Sequence, residues 1–254
     1  MHLNPLTNAR VGATGKLYLL AAALGLAGAT VAPADLVSWN SDFAGGGIVP
    51  DGSITGWSDT RSLSGYTGTI TDLNVTLNLA GGYNGDYYAY LTHDSGFTVL
   101  LNRVGRTGSD GMGYGEAGLN VKLDDSASHG DIHLYATVAN FSTVIGTGGN
   151  FQPDGRAVDP LLAVNTDARG RLLGQFNGLS PNGAWTLFVA DVSSGQQGTV
   201  AGWGLELTTA ATPEPSSGLM AILLGVGAAA AALARRRAQA RPQASPIISD
   251  RIGH

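Results

Sequence analysis

Three short segments of this sequence carry side chains that could do chemistry. His93-Asp94-Ser95 holds all three residue types of a nucleophilic relay. Such a relay is assembled across a fold so that its groups face one another, which three adjacent residues do not do. The segment therefore reads as a tight turn. No G-x-S-x-G elbow occurs in the chain, so an α/β-hydrolase has no support. A hydrolase of another kind would need a clustered, buried acid–base pair, and finding His93, His129 and His133 exposed and apart would remove it. Gly113-Tyr114-Gly115-Glu116-Ala117-Gly118 satisfies the G-x-G-x-x-G spacing. That spacing cradles a pyrophosphate only between a strand and a helix N-terminus, and Leu119 to Leu123 alternates like a strand. His129, Asp131 and His133 recur at period two, so on a strand they would share a face and could chelate a metal. The simpler reading is a solvent-facing polar edge opposite Ile132 and Leu134. The acidic turns make a better case for a cation. Asp124, Asp125, Asp154, Asp159 and Asp191 are hard oxygen ligands of the kind calcium takes, roughly six to eight at a time. No regular D-x-D-x-D spacing orders them, so structural calcium stays open and no other cofactor is expected.

The elements that must position these residues are short strands. Val75, Leu77 and Leu79 alternate with Thr76 and Asn78, Trp185, Leu187 and Val189 with Thr186, and Trp203, Leu205 and Leu207 with Gly204 and Glu206. Alternation at period two points one face into a core and the other to water. Tyr87 to Leu91, Thr98 to Leu101 and Ile132 to Val138 are further strand candidates, rich in β-branched and aromatic residues. Residues 85–92 are weakly echoed at 130–137, which reads as two turn-then-strand units. No convincing helical period of useful length occurs between Asp35 and Thr209, so the class is all-β, a sandwich of two facing sheets. Trp185 and Trp203 fall on the inward register of their strands. Each ring can bury on the order of 150–250 Å², which makes both core residues rather than ligand platforms.

The composition supports that class. Charged residues make up 13% of 254, glycines number 38, and there is no cysteine. That excludes a coiled coil, a basic nucleic-acid binder and a disulfide or Cys-ligated zinc scaffold. Charge is unevenly spread. Residues 35–209 hold 17 Asp and Glu against 7 Lys and Arg, about -10, and the ends hold 7 bases against 2 acids, about +5. At the N-terminus, Arg10 and Lys16 precede an apolar run from Leu17 to Ala29 and then Ala32-Pro33-Ala34. This is the layout of a secretory signal peptide spanning 1–34, with Ala32 and Ala34 marking the cleavage site. A linker, 35–45, is expected to follow. At the other end, Thr212-Pro213-Glu214-Pro215 leads into an uncharged run from Leu219 to Ala234 and then Arg235-Arg236-Arg237. The arginines should stay cytoplasmic and leave everything before Pro213 outside.

Pro213-Glu214-Pro215, a Gly- and Ala-rich helix and Arg235-Arg236-Arg237 together resemble the PEP-CTERM sorting signal of Gram-negative bacteria, here spanning 210–237. The resemblance implies recognition by an exosortase, which removes the tail as the protein reaches the cell surface or extracellular matrix. A plain membrane anchor is the alternative. The basic tail at 238–254, expected to be disordered, extends beyond the point where members of that family usually stop.

A second resemblance covers the middle, 46–209. Ile48-Val49-Pro50-Asp51, the segment from Gly85-Asp86 to Leu101, Gly183-Ala184-Trp185 through Asp191, and Gly198 through Trp203 to Leu207 are similar to the P domain (P/Homo B) of proprotein convertases. The resemblance implies a jelly-roll β-sandwich of galactose-binding type, flanked here by N- and C-terminal hydrophobic helices. Gly85-Asp86 would supply a turn able to take positive φ and a side chain that caps its own backbone. Asp191 would close its strand into the turn from Val192 to Gly198. The Gly- and Asp-rich stretch at about 103–175 departs from the pattern as a long insert, where a function particular to this chain is expected.

The expectation is a non-catalytic exported module that binds or builds at the surface or in the matrix. Its processing partners would be signal peptidase and exosortase, with extracellular polysaccharide or a surface protein afterwards and no nucleic acid. In convertases the P domain supports a neighbouring subtilisin-like protease. The residues beside this sandwich leave no room for one, so such support would act in trans. The other alternative is a carbohydrate-binding module using Trp57, Tyr83, Tyr87 and Tyr114.

Overall fold

A computed structural model describes residues 46–210, the backbone of 35–39 and the helical stretches 230–232 and 234–236. The expected signal peptide with Ala32 and Ala34, and Pro213, Glu214, Pro215 and Arg237 of the sorting signal, lie outside the described residues. Arg235 and Arg236 lie on exposed helical backbone. Among the described residues no helix is long and apolar enough to cross a membrane.

The described residues form two sheets. The larger runs β1 (Asp35–Trp39), β10 (Gly198–Ala210), β4 (Thr69–Gly81), β7 (Leu119–Leu123), β8 (Gly149–Phe151), with β2 (Ile48–Val49) also on β10. The smaller runs β3 (Ser53–Leu63), β9 (Gly183–Asp191), β5 (Tyr87–His93), β6 (Gly96–Asn102). All pairings are antiparallel except β7 with β8. The expected linker at 35–45 therefore contains a strand, with Asp35 opposite Thr209.

Alternation places the core as expected. Val75, Leu77 and Leu79 on β4 and Trp203, Leu205 and Leu207 on β10 form one hydrophobic cluster with Tyr87, Leu91, Trp185, Leu187 and Val189 of the smaller sheet. The strands depart from strict alternation at bulges. Thr208 pairs with Asp72 but Thr209 pairs with Ile70, which lets Ile70 and Leu73, three residues apart, both face inward. Trp185 and Trp203 are fully buried, and at about 25 cal/mol per Å² each ring contributes a few kcal/mol to folding. Trp203 Nε1 donates to Asp59 of β3 at 2.9 Å, which ties the two sheets together.

The glycines of the motif are needed for closeness more than for turns. A Cβ at Gly198 would run into the hydroxyl of Tyr87, and one at Gly85 would meet backbone of Met112 and Tyr114. Gly85 does not take positive φ. It sits in a single 3-10 turn, Asn84–Asp86, and Asp86 gives its carboxylate to Arg103 instead of capping its own backbone. Gly183 does need its freedom, with φ +124 at the start of β9.

The long insert is part of the sandwich, since β7 and β8 extend the larger sheet. The strand expected at Ile132 to Val138 is instead a kinked 3-10 helix, Ile132–Thr137. The carboxylate of Asp131 accepts from His133 N at 2.9 Å, which caps a helical turn and competes with any strand ladder.

Candidate functional site

The groups with catalytic chemistry are held inside the protein. His93 ends β5 and precedes a turn in which Asp94 takes φ +50, as expected for His93-Asp94-Ser95. The histidine is buried, not exposed. Its Nδ1 lies 3.0 Å from Ala184 O, its Nε2 2.7 Å from Ser180 O, and its ring stacks on Trp185 at 3.9 Å. His133 is also buried, and the expected polar edge does not exist. Its ring nitrogens lie 2.7 Å from Asp154 Oδ2 and 2.9 Å from Arg106 O. Of the three histidines only His129 is exposed.

Asp154 is the centre of an ionic network that orders the insert. Arg156 reaches Asp154 at 3.2 Å and Asp131 at 2.7 Å, and Arg169 lies 3.5 Å from Asp131. Burial alone would pull the Arg156 guanidinium down, but Asp131 and Asp154 outweigh it and hold the charge. A histidine–aspartate pair with both ring nitrogens engaged and no exposure positions backbone; it offers no face to a substrate.

The tentative calcium ligands are not brought together. Asp124 is occupied by Ser126 and Asn150, Asp125 accepts from Leu173 N and Gly174 N, Asp154 serves the network above, and Asp159 accepts from Leu161 N. Among the described residues no three His, Asp or Glu side chains are grouped as a metal site. Aspartates here cap turns, and the sequence signal of a calcium loop, regular spacing, was missing.

Asp191 gathers with other motif residues at the end of β9. Burial, reinforced by Asp86 and Asp51, pushes its carboxyl up to about 6 against the opposing pull of Ser193 N and Arg103. Asp86 is likewise raised by burial despite Arg103, whose guanidinium lies 3.3 Å away and also bonds Gly85 O. Asp51, beside Pro50, accepts from Gly195 N at 3.0 Å and so fixes the turn after β9.

Among the described residues two concave surfaces carry aromatic side chains. The first is a cleft of about 300 Å³ lined by Tyr83, Asp86, Met112, Gly113, Tyr114 and Gly115. It joins two of the four aromatic residues expected to bind sugar. The other two are elsewhere: Tyr87 is fully buried with its hydroxyl donated to Gly81 O at 2.9 Å, and Trp57 packs at the rim of the core. Residues of the G-x-G-x-x-G segment line this cleft, but β7 follows them with no helix between, so no phosphate cradle forms.

The second is a groove of about 410 Å³ on the outer face of the smaller sheet. Its lining includes Ala190, a small and itself buried residue on β9 directly opposite Tyr88 of β5. Phe188 and Tyr90, opposite each other one register step away, stack at 4.8 Å and 19°. Ile54 of β3 and the Asp159-Pro160-Leu161 turn of the insert form the remaining walls. Burial and the neighbouring Tyr90 push the Tyr88 phenol up, so it stays a neutral donor. The sequence carried a signal for this groove that alternation alone did not weigh: Tyr88, Tyr90 and Phe188 occupy outward positions where a sandwich normally shows polar residues.

No protein-family model and no curated protein matches the chain. Among solved structures, it is similar to the Aeromonas sobria serine protease in complex with the chaperone ORF2, at 15% identity and a TM-score of 0.39, over 72% of this chain and 28% of that one. It is similar to the same organism's serine protease alone at 14% identity and a TM-score of 0.33, over 70% of this chain and 26% of that one. The chain thus spans little more than a quarter of either structure's length, and at these TM-scores the likeness carries no argument.

Proposed function

We propose that this chain is a non-catalytic exported module, a P-domain-like jelly-roll sandwich sorted through its C-terminal tail to the cell surface or extracellular matrix, where it binds a partner. One observation carries the non-catalytic part. The two buried histidines each have both ring nitrogens taken by protein and line neither the groove nor the cleft described above, whose walls are mostly aromatic and apolar. Lining of this kind favours binding. The export part rests on the Ala32-Pro33-Ala34 leader and on Pro213-Glu214-Pro215 with Arg235-Arg236-Arg237. Mass spectrometry of the protein from its native envelope tests it. The expected mature chain begins at Asp35 and has lost the tail after the Pro213 region, and an intact Met1 or an intact His254 overturns one half of the reading. A second reading, a carbohydrate-binding module, is favoured by the cleft in which Tyr83 and Tyr114 flank the Asp86 carboxylate. Gel retardation in neutral and acidic polysaccharides tests it, and no retardation in either removes it.

A further inference from the structure

The outer face of the larger sheet ends in a polar trough of about 370 Å³, within the roughly 300–1,000 Å³ of small-ligand sites. Asn78 of β4 and Asn120 of β7 stand opposite each other in the strand register. Their neighbours Leu77, Leu79, Leu119 and Val121 are buried, so alternation turns both asparagines outward, where they are exposed. Among the described residues neither side-chain amide has a hydrogen-bond partner. Further along β4 on the same face, Asn74 Oδ1 and Thr76 Oγ1 are buried and make no hydrogen bond, so the face is short of partners. Ala80, Gly81, Ala117 and Gly146 are small residues that surround the asparagine pair, and no residue lining the trough is ionisable or aromatic. On the same face Lys122 and Glu206 neutralise each other at 2.6 Å.

We propose that this trough binds a neutral sugar chain, with Asn78 and Asn120 holding its hydroxyls. The inference rests on the carbohydrate-binding reading and gives it a second site, built from residues other than those of the tyrosine cleft. The lining selects the ligand. A charged group would lose hydration there and meet no counter-charge. An apolar side chain would find no pocket, because Leu79 and Leu119 turn into the core. A sugar ring meets both conditions, since it is neutral and its neighbouring hydroxyls each donate and accept. A primary amide offers the matching set, one acceptor oxygen and two N–H donors, and here two amides stand side by side. The small residues around the pair let a ring approach the sheet closely.

The test is a saturation-transfer NMR titration of the full chain in lipid nanodiscs, with empty nanodiscs as the blank. The probes are cellohexaose, mannohexaose and isomaltohexaose, with hexaguluronate as the charged counterpart. At least one neutral hexasaccharide should bind with a Kd on the order of 0.1–1 mM, and hexaguluronate about tenfold more weakly or worse. Because no charge is involved, the neutral affinity should change less than about twofold between about 0.05 and 0.5 M salt. The double variant N78A/N120A removes both amides, and A117W fills the trough; each should weaken binding about tenfold or more. These three residues are exposed, so the fold should survive, which circular dichroism checks. D72N, on β4 outside the trough, should bind as the parent does. No binding of any neutral hexasaccharide at about 20 mM overturns the site and the carbohydrate reading together. Binding that survives N78A/N120A and is lost in Y83A assigns the sugar to the tyrosine cleft and overturns the site alone. Binding indifferent to A117W, or equal binding of hexaguluronate, overturns it as well.

Discussion

The two sheets bury similar inner faces and present opposite outer ones. On the larger sheet the outward positions of β4, β7 and β10 are mostly polar. Lys122 of β7 lies 2.6 Å from Glu206 of β10, and Asn74 of β4 reaches the same carboxylate at 3.5 Å. On the smaller sheet the outward positions include Tyr88, Tyr90, Phe97 and Phe188, with Tyr90 in ring contact with each of the other three. The same backbone alternation thus makes one polar face and one largely aromatic face.

That contrast can be broken from the inside first. Replacing Trp185 or Trp203 by alanine should each cost about 3–5 kcal/mol in urea unfolding, because the inner faces share one core. Markedly unequal losses would mean that the sheets are not equivalent inside. Next comes the network that holds the groove's insert wall. D154A leaves Arg156 and His133 without their shared carboxylate and should cost about 3 kcal/mol or more, with proteolysis appearing first between residues 103 and 175. An unchanged urea midpoint would show the network to be dispensable.

The third measurement concerns the end of β9 beside the groove. The folded Asp191 carboxyl is pushed up to about 6, and the unfolded carboxyl titrates near 4. The native state therefore holds the proton more tightly, and ionisation costs stability. Asp191's contribution is fully favourable below about pH 4 and is lost as pH rises through about 6, by up to about 2–3 kcal/mol. D191N should be more stable than the parent at pH 8 and should flatten the stability profile between pH 4 and 7. A parent-like slope in D191N would assign the titration elsewhere.

The smallest effects separate the outer faces themselves. Y90T with F188T makes the smaller sheet resemble the larger one, and losing the ring pair should cost about 1 kcal/mol of stability in urea unfolding. K122M on the polar face should cost well under about 1 kcal/mol in the same measurement, since that ion pair is about one-third exposed. Equal losses in the two variants would dissolve the distinction between the faces.

Much of the sandwich was legible from alternation. The runs at Val75–Leu79, Trp185–Val189 and Trp203–Leu207 became β4, β9 and β10 with their large residues inward. The weak echo between 85–92 and 130–137 was the instructive failure. Residues 87–93 became a strand because β6 and β9 supply ladders on both sides, while Arg103 takes the carboxylate of Asp86. At 131–137 the carboxylate of Asp131 turned back onto His133 N, and a helical turn formed in what reads as the same pattern. Sugar-binding residues were anticipated by type alone, so one of the four, Tyr87, proved to be core; its inward register was visible in the strand pattern.

Local chemistry in the sequence was enough to determine the all-β class, the inward tryptophans and the turn at His93-Asp94-Ser95. Period-two alternation and turn residues act over a few neighbours, so no distant contact is needed to read them. Only the tertiary structure decided that His133 meets Asp154 across 21 residues, that the insert joins the larger sheet, and that its Asp159-Pro160-Leu161 turn lines a groove with residues of β5 and β9. Those juxtapositions depend on which strands pair and where bulges shift them, a long-range outcome that no local pattern encodes.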